Sequence, residues 1–292
     1  MSGVNQLVGI FMFARAFGLV AALVFAADAH ASADHAYWNA DSPSFSCKAA
    51  HLSVVEARIC DASTDLWNAD RALAALYKAA LDNLDSEHGK ALALQQRDWL
   101  KGRDRCIEQD CIANAYLAQS RHIWELILAN NDGKPVPVLG KTPQDRIAYL
   151  RFLMDYYDRD TDSRNKYSFP GLRDSDPDVR AFVAYGLRGP SYTGLLIDLL
   201  VAEPDLDVRM SIALSIGCEL TCNGTEPCAE ANTVEQHLDN LLIAYKRSAT
   251  EPAGYGEEQG ELQRIFDDYA GEKDWNKCLS PEARKRVREH TS

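Results

Sequence analysis

Positive charge is the scarce ingredient of this sequence. Its 292 residues carry 31 Lys and Arg against 43 Asp and Glu, a formal net charge of −12. A chain this acidic is poorly suited to nucleic acid or anionic membrane surfaces; it suits a basic protein partner, whose approach its field would steer. Acidity also serves solubility in its own right. Catalytic signatures are missing too: there is no Gly-x-Ser-x-Gly elbow, no His-Glu-x-x-His, no phosphate-binding glycine loop and no dinucleotide fingerprint. The expectation is a protein that is not an enzyme and uses no cofactor. Paired Cys-x-x-Cys motifs, the mark of zinc ribbons and dithiol redox sites, are absent as well.

What is present begins with the N-terminus. Arg15 is followed by the apolar run from Ala16 to Ala27 and then by small-residue patterns ending at Ala29 and Ala31. That order reads as a secretory signal over residues 1–31. The apolar run is shorter than the roughly 20 residues of a membrane span, although Gly3 to Phe13 could extend it into an uncleaved anchor. With cleavage, the mature chain would be periplasmic or secreted, without stable membrane insertion. All eight cysteines, at 47, 60, 106, 111, 218, 222, 228 and 278, follow the signal. An even count in an oxidising compartment favours disulfides over thiols or metal.

The first part of the mature chain reads as helices. Ser53 and Glu56 form a capping-box pattern, so a short helix starts at Val54 and carries Cys60 to its end, with Cys47 folded back beside it. Leu66, Leu73, Leu76, Tyr77, Ala80, Leu81 and Leu84 recur at helical spacing, predicting a helix from near Ser63 to Leu84. A second long helix places Leu92, Gln95, Trp99 and Cys106 on one face. A third carries Ile112, Tyr116, Ile123 and Ile127, with Leu117 and Trp124 beside them. Cys106 and Cys111 would tie the short turn between the last two; the competing reading is a zinc site shared with Cys47 and Cys60.

Cys47, Glu56, Cys60, Asp70, Tyr77, Gln95, Trp99 and Cys106, in this order and spacing, resemble the N-terminal domain of the lysozyme inhibitor LprI family over about residues 44–128. The resemblance implies an exported helical domain and a lysozyme, or another peptidoglycan-cleaving enzyme, as the protein partner. The matching Glu56, Asp70, Tyr77, Gln95 and Trp99 read as caps and core residues. Exposed acids near helix ends, namely Asp82, Asp85, Glu87 and Glu108, are candidates for a contact surface.

Residues 130–141, rich in Gly and Pro, break the helical period and are expected to link the first domain, 44–129, to a second, 142–292. Thr142, Pro143 and Asp145 restart a helix with an N-cap, a first-turn proline and a first-turn acid. Asp174 to Leu187 and Glu203 to Ile216 each put an acidic turn before Asp-Val-Arg and an apolar helix, with the Val-Arg pairs 29 residues apart. This resembles a HEAT-type repeat, in which helix pairs stack; an irregular helical domain is the alternative. Cys218, Cys222, Cys228 and Cys278 would form two further disulfides of undetermined pairing. His122 with Glu125, and the acidic turns at 158–164 and 174–178, suit ion pairs and helix caps better than metal. The basic run from Arg284 to His290 fits a terminal helix opened by Ser280, Pro281 and Glu282. The fold expected is all-α: a disulfide-pinned small helical bundle followed by a HEAT-like helical repeat domain. The function expected is inhibition or binding of an envelope lytic enzyme, with an envelope interaction scaffold as the second reading.

Overall fold

Helices start where the sequence places their caps. In the computed structural model, which describes residues 41–61, 64–131, 136–187, 189–222, 227–250, 256–270 and 279–291, Ser53 and Glu56 exchange both bonds of a capping box and open α1 (Val54–Cys60). Asp85 accepts from the N–H groups of Glu87 and His88 to open α3 (Ser86–Arg103), following α2 (Thr64–Asn83). After α4 (Gln109–Asn130), Thr142 and Asp145 close a second capping box at α5 (Pro143–Tyr156). Asp160 caps α6 (Thr161–Ser168), which runs into a 3-10 helix at Phe169–Arg173, and Asp176 caps α7 (Pro177–Gly186). The remaining helices are α8 (Pro190–Ala202), α9 (Leu206–Cys222), α10 (Pro227–Gln236), α11 (Leu238–Thr250), α12 (Gly256–Ala270) and α13 (Pro281–Thr291). Among the described residues the fold is all-α, without strands.

Two disulfides pin the first helices. Cys47 pairs with Cys60 and Cys106 with Cys111, with Cα separations of 5.6 and 5.5 Å. The first closes a loop of 13 residues in sequence separation, for which the chain-entropy model gives about 3 kcal/mol. It supports a helix only 7 residues long, too short to persist alone. Residues 1–31 and Cys278 lie outside the described residues, as do the side chains of Cys218, Cys222 and Cys228, so the second expected group of disulfides falls outside them too.

The expected apolar faces become the core. Leu66, Leu73, Leu76 and Ala80 of α2 are buried with Ile112, Tyr116, Ile123 and Ile127 of α4. Trp124 is also fully buried, whereas Leu81 sits at the surface. On α3 the inner face is Leu92, Gln96, Trp99 and Arg103; Gln95, expected on that face, is exposed. Its offset of three from Leu92 falls on the helix flank once Leu92 and Gln96, four apart, set the contact line.

Helix α2 packs on α4 on one side and on α5 on the other, so the helices before and after the Gly- and Pro-rich stretch share an interface. From there a row continues, α5 on α7, α7 on α9 and α9 on α12, with α8 packed on α9, α10 and α11. Residues 35–292 make one compact unit. Gly140 steers the chain into this row: its φ is +126°, and a Cβ there would come within 2.8 Å of the Arg146 backbone nitrogen. Only glycine tolerates both conditions.

The row is joined by a repeated ion pair. Arg146, four residues past the Thr142 cap, forks onto Asp174 with Nε to Oδ2 at 2.7 Å and Nη2 to Oδ1 at 2.9 Å. Arg180, four past the Asp176 cap, forks onto Glu203 at 3.2 and 2.8 Å. Arg209, four past Asp205, reaches Glu258 at 3.1 Å. Each arginine also donates back to a carbonyl five residues upstream, of Lys141, Ser175 and Pro204. Asp174 and Glu203 in turn accept the backbone N–H of the next cap, Asp176 and Asp205.

Candidate functional site

The family-like residues of the first helices converge where α3 ends. Arg103 occupies the last turn of the buried α3 face and is 4% exposed. A buried guanidinium without partners would cost several kcal/mol. Its Nη1 donates to the Tyr116 hydroxyl at 3.1 Å, and its Nε and Nη2 donate to Asp104 Oδ1 at 3.0 and 2.7 Å. Glu56 Oε1 lies 3.7 Å from Nη2. The guanidinium also lies 5.6 Å from the Trp99 ring centre and 5.9 Å from that of Tyr116, within cation–π range.

Tyr116 extends the network inward. Its hydroxyl donates to Asp70 Oδ1 at 2.8 Å, and Asp70 Oδ2 accepts the Ser44 N–H at 2.6 Å. One buried carboxylate on α2 thus holds both α4 and the segment that leads to Cys47. Burial and the Asp70 charge push the Tyr116 phenol far above its ordinary range. Burial works against the Arg103 charge, but Tyr116 and Asp104 more than offset it and raise its pKa. Trp99 donates its indole N–H to the Ala115 carbonyl at 3.1 Å and meets Tyr116 edge-on.

Glu56, Asp70, Trp99 and Cys106 are therefore brought together at or beside this network. Tyr77 packs half-buried against the core elsewhere, and Gln95 stays at the surface with Oε1 3.2 Å from His122 Nε2. Arg103, Asp104 and Tyr116 are the residues that sequence reasoning missed as site members. The signal was an arginine four residues after Trp99, in phase with Leu92 and Trp99.

The network supports the turn from α3 to α4. Cys106 donates its N–H to the Arg103 carbonyl at 2.9 Å, and the disulfide to Cys111 closes the turn. Of the exposed acids, Asp82 pairs with Lys78 at 2.8 Å and Glu87 is exposed in the first turn of α3. Asp85 is held below the ordinary carboxylate range by hydrogen bonds from the His88 backbone and ring, and it raises the His88 pKa in return. Glu108 stands at the N-cap of α4 without a side-chain capping bond. Among the described residues no group of three or more His, Cys, Asp or Glu is placed to hold a metal, and no helix is long and apolar enough to cross a membrane.

What this arrangement does chemically is hold shape: a charged, aromatic and disulfide-bonded support beneath an exposed turn. The family model described as Lysozyme inhibitor LprI matches residues 47–155. It begins at the first disulfide cysteine and reaches into α5, some 27 residues beyond the resemblance legible at 44–128. No curated protein and no solved structure matches the chain. From Cys47 through all but the last residue of α5, the chain is similar to the lysozyme inhibitor LprI family.

Proposed function

We propose that the protein is exported and binds and inhibits a lysozyme or another peptidoglycan-cleaving enzyme of the envelope. The LprI match over residues 47–155 carries this reading, since that family is one of inhibitors rather than enzymes. Two disulfides in the matched segment agree with an extracytoplasmic location. The net charge of −12 suits a basic target. Inhibition of this kind proceeds by occlusion: a rigid surface occupies the polysaccharide cleft, and a few buried contacts supply most of the affinity.

The test is clearing of a peptidoglycan suspension by a basic animal lysozyme, with and without the oxidised protein. Inhibition should saturate near one inhibitor per enzyme and disappear after reduction of the disulfides. Full lysozyme activity in the presence of excess folded, oxidised protein rejects the reading.

A second reading is supported by the repeated arginine forks of α5, α7 and α9. They join successive helices of the row in the same way, as in HEAT-like stacks, and stacked helices offer extended surfaces to protein partners. On this reading the 142–292 region binds an envelope partner. Binding that survives every substitution on the α3–α4 side and fails on substitution along α7 and α9 would favour it.

A further inference from the structure

The turn between α3 and α4 is exposed and is tied across by a disulfide. Cys106 and Cys111 bracket Ile107, Glu108, Gln109 and Asp110, all of them exposed. Ile107 is 71% exposed, an isoleucine that contributes nothing to the core from that position. Glu108 stands at the N-cap of α4, where Asp85, Thr142, Asp160 and Asp176 cap their helices, but its exposed carboxylate makes no capping bond.

The support under the turn is unusually strong for a surface connection. Arg103, buried and bonded to Tyr116 and Asp104, accepts the Cys106 N–H on its carbonyl, and the Gly102 carbonyl accepts the Arg105 N–H at 3.1 Å. The disulfide then fixes the neck, with Cα atoms 5.5 Å apart. A loop ordered in advance loses little entropy on binding.

We propose that this turn is the inhibitory contact: Ile107 enters the substrate cleft of a basic lysozyme as an apolar anchor, and Glu108 and Asp110 meet the cationic surface around it. The assignment rests on the lysozyme-binding reading above. Charge complementarity supports it, because the turn carries two acids on a chain of net charge −12. Position supports it as well. Ile107 stands between the two disulfide cysteines, one residue before the N-cap of α4, whereas Leu94 and Ile243, 60% and 51% exposed, lie within α3 and α11.

The experiment uses the full oxidised chain and three variants, each checked for an unchanged thermal melt: Ile107→Asp, the pair Glu108→Lys with Asp110→Lys, and Leu94→Ser. The inhibition constant against a basic animal lysozyme is measured with and without a chitin oligosaccharide that fills the cleft. Wild type should compete with the oligosaccharide. Ile107→Asp should weaken inhibition about 30-fold, as for a central anchor, and the double lysine variant about tenfold with a slower association rate. Leu94→Ser should match wild type. If wild type inhibits and Ile107→Asp inhibits equally well, the turn is not the contact and the lysozyme reading stands. Inhibition indifferent to the oligosaccharide, or lost equally with Leu94→Ser, overturns the cleft assignment in the same way. If wild type does not inhibit, both readings fall.

Discussion

Arg103 shows how a single residue can organise a module. It is the meeting point of Glu56, Trp99, Asp104 and Tyr116, and through Tyr116 it is linked to Asp70 on α2. Replacing it by Met would fill the space and leave the Tyr116 hydroxyl and the Glu56 and Asp104 carboxylates with one partner fewer. The expected loss is about 3 kcal/mol, the scale for breaking a buried charged network on one side, and it is read from urea unfolding of the oxidised protein. A change below about 1 kcal/mol would mean that the network is not what holds α3 against α4. Sequence reasoning found Asp70, Glu56 and Trp99 by family likeness yet passed over Arg103. The reason is physical: an arginine on a helix is ordinarily solvated, and its bond to the buried Tyr116, 13 residues away in the chain, is not visible in the local sequence.

Asp145 carries a pH signature on the same scale. Burial alone would raise its pKa, but hydrogen bonds from Arg71 and Thr142 outweigh burial and lower it. A carboxylate with a lowered folded-state pKa contributes stability above its unfolded value and loses that contribution as pH falls through the folded one. Asp145→Asn should therefore be less stable than wild type at pH 7, and the difference should shrink as pH drops below about 4. Paired urea titrations at pH 7 and pH 3 check this. A gap that is the same at both pH values would show that the Arg71 pair is electrostatically silent.

At the scale of the element, most helices were legible because their ends are written in short-range chemistry. Ser53 with Glu56, Thr142 with Pro143 and Asp145, and Ser280 before Pro281 all mark starts that the structure keeps. The repeated arginine contact was half legible. Asp176 to Arg180 and Asp205 to Arg209 were recognisable as copies. The third copy, Thr142 to Arg146, was hidden because Asp145 stands where Val179 and Val208 stand in the others. Asp145 is there for a different contact, the pair with Arg71 of α2 at 2.7 Å. The row beginning at α5 is thereby keyed to α2. The forks also make a test. Arg180→Lys preserves charge but cannot reproduce the two-pronged contact with Glu203. It should cost about 1–2 kcal/mol in urea unfolding, and equal stability of the lysine variant would reduce the fork to an incidental surface pair.

At the scale of the whole molecule, Trp124 tells how far the first module extends. It belongs to α4, yet the groups that enclose it come from beyond residue 142: Tyr149 of α5 and Tyr167 of α6 meet it edge-on at 5.9 and 5.3 Å, and it donates its indole N–H to the Tyr157 hydroxyl at 3.1 Å. Burial pushes the Tyr157 phenol up to about 12, as expected for a hydroxyl inside this cluster. Helix α2 likewise has α4 on one side and α5 on the other. No periodicity within α2 or α4 reveals that their second faces await helices from across a Gly- and Pro-rich stretch, because an apolar face records only that it is covered, not by what. A fragment of residues 41–131 keeps both disulfides and all of α1 to α4, yet it should leave Trp124 and one side of α2 in water. Exposing a tryptophan and part of a helix face is worth about 3–5 kcal/mol, a large share of the stability of so small a domain. The fragment should melt broadly with red-shifted tryptophan fluorescence, whereas residues 41–173, which restore Tyr149, Tyr157 and Tyr167, should melt cooperatively with a blue-shifted spectrum. Since the disulfides are common to both, the difference isolates the packing of α5 and α6. A sharp melt of 41–131 at the temperature of the longer fragment would show instead that the clips and the Arg103 network suffice, and that α1 to α4 stand alone.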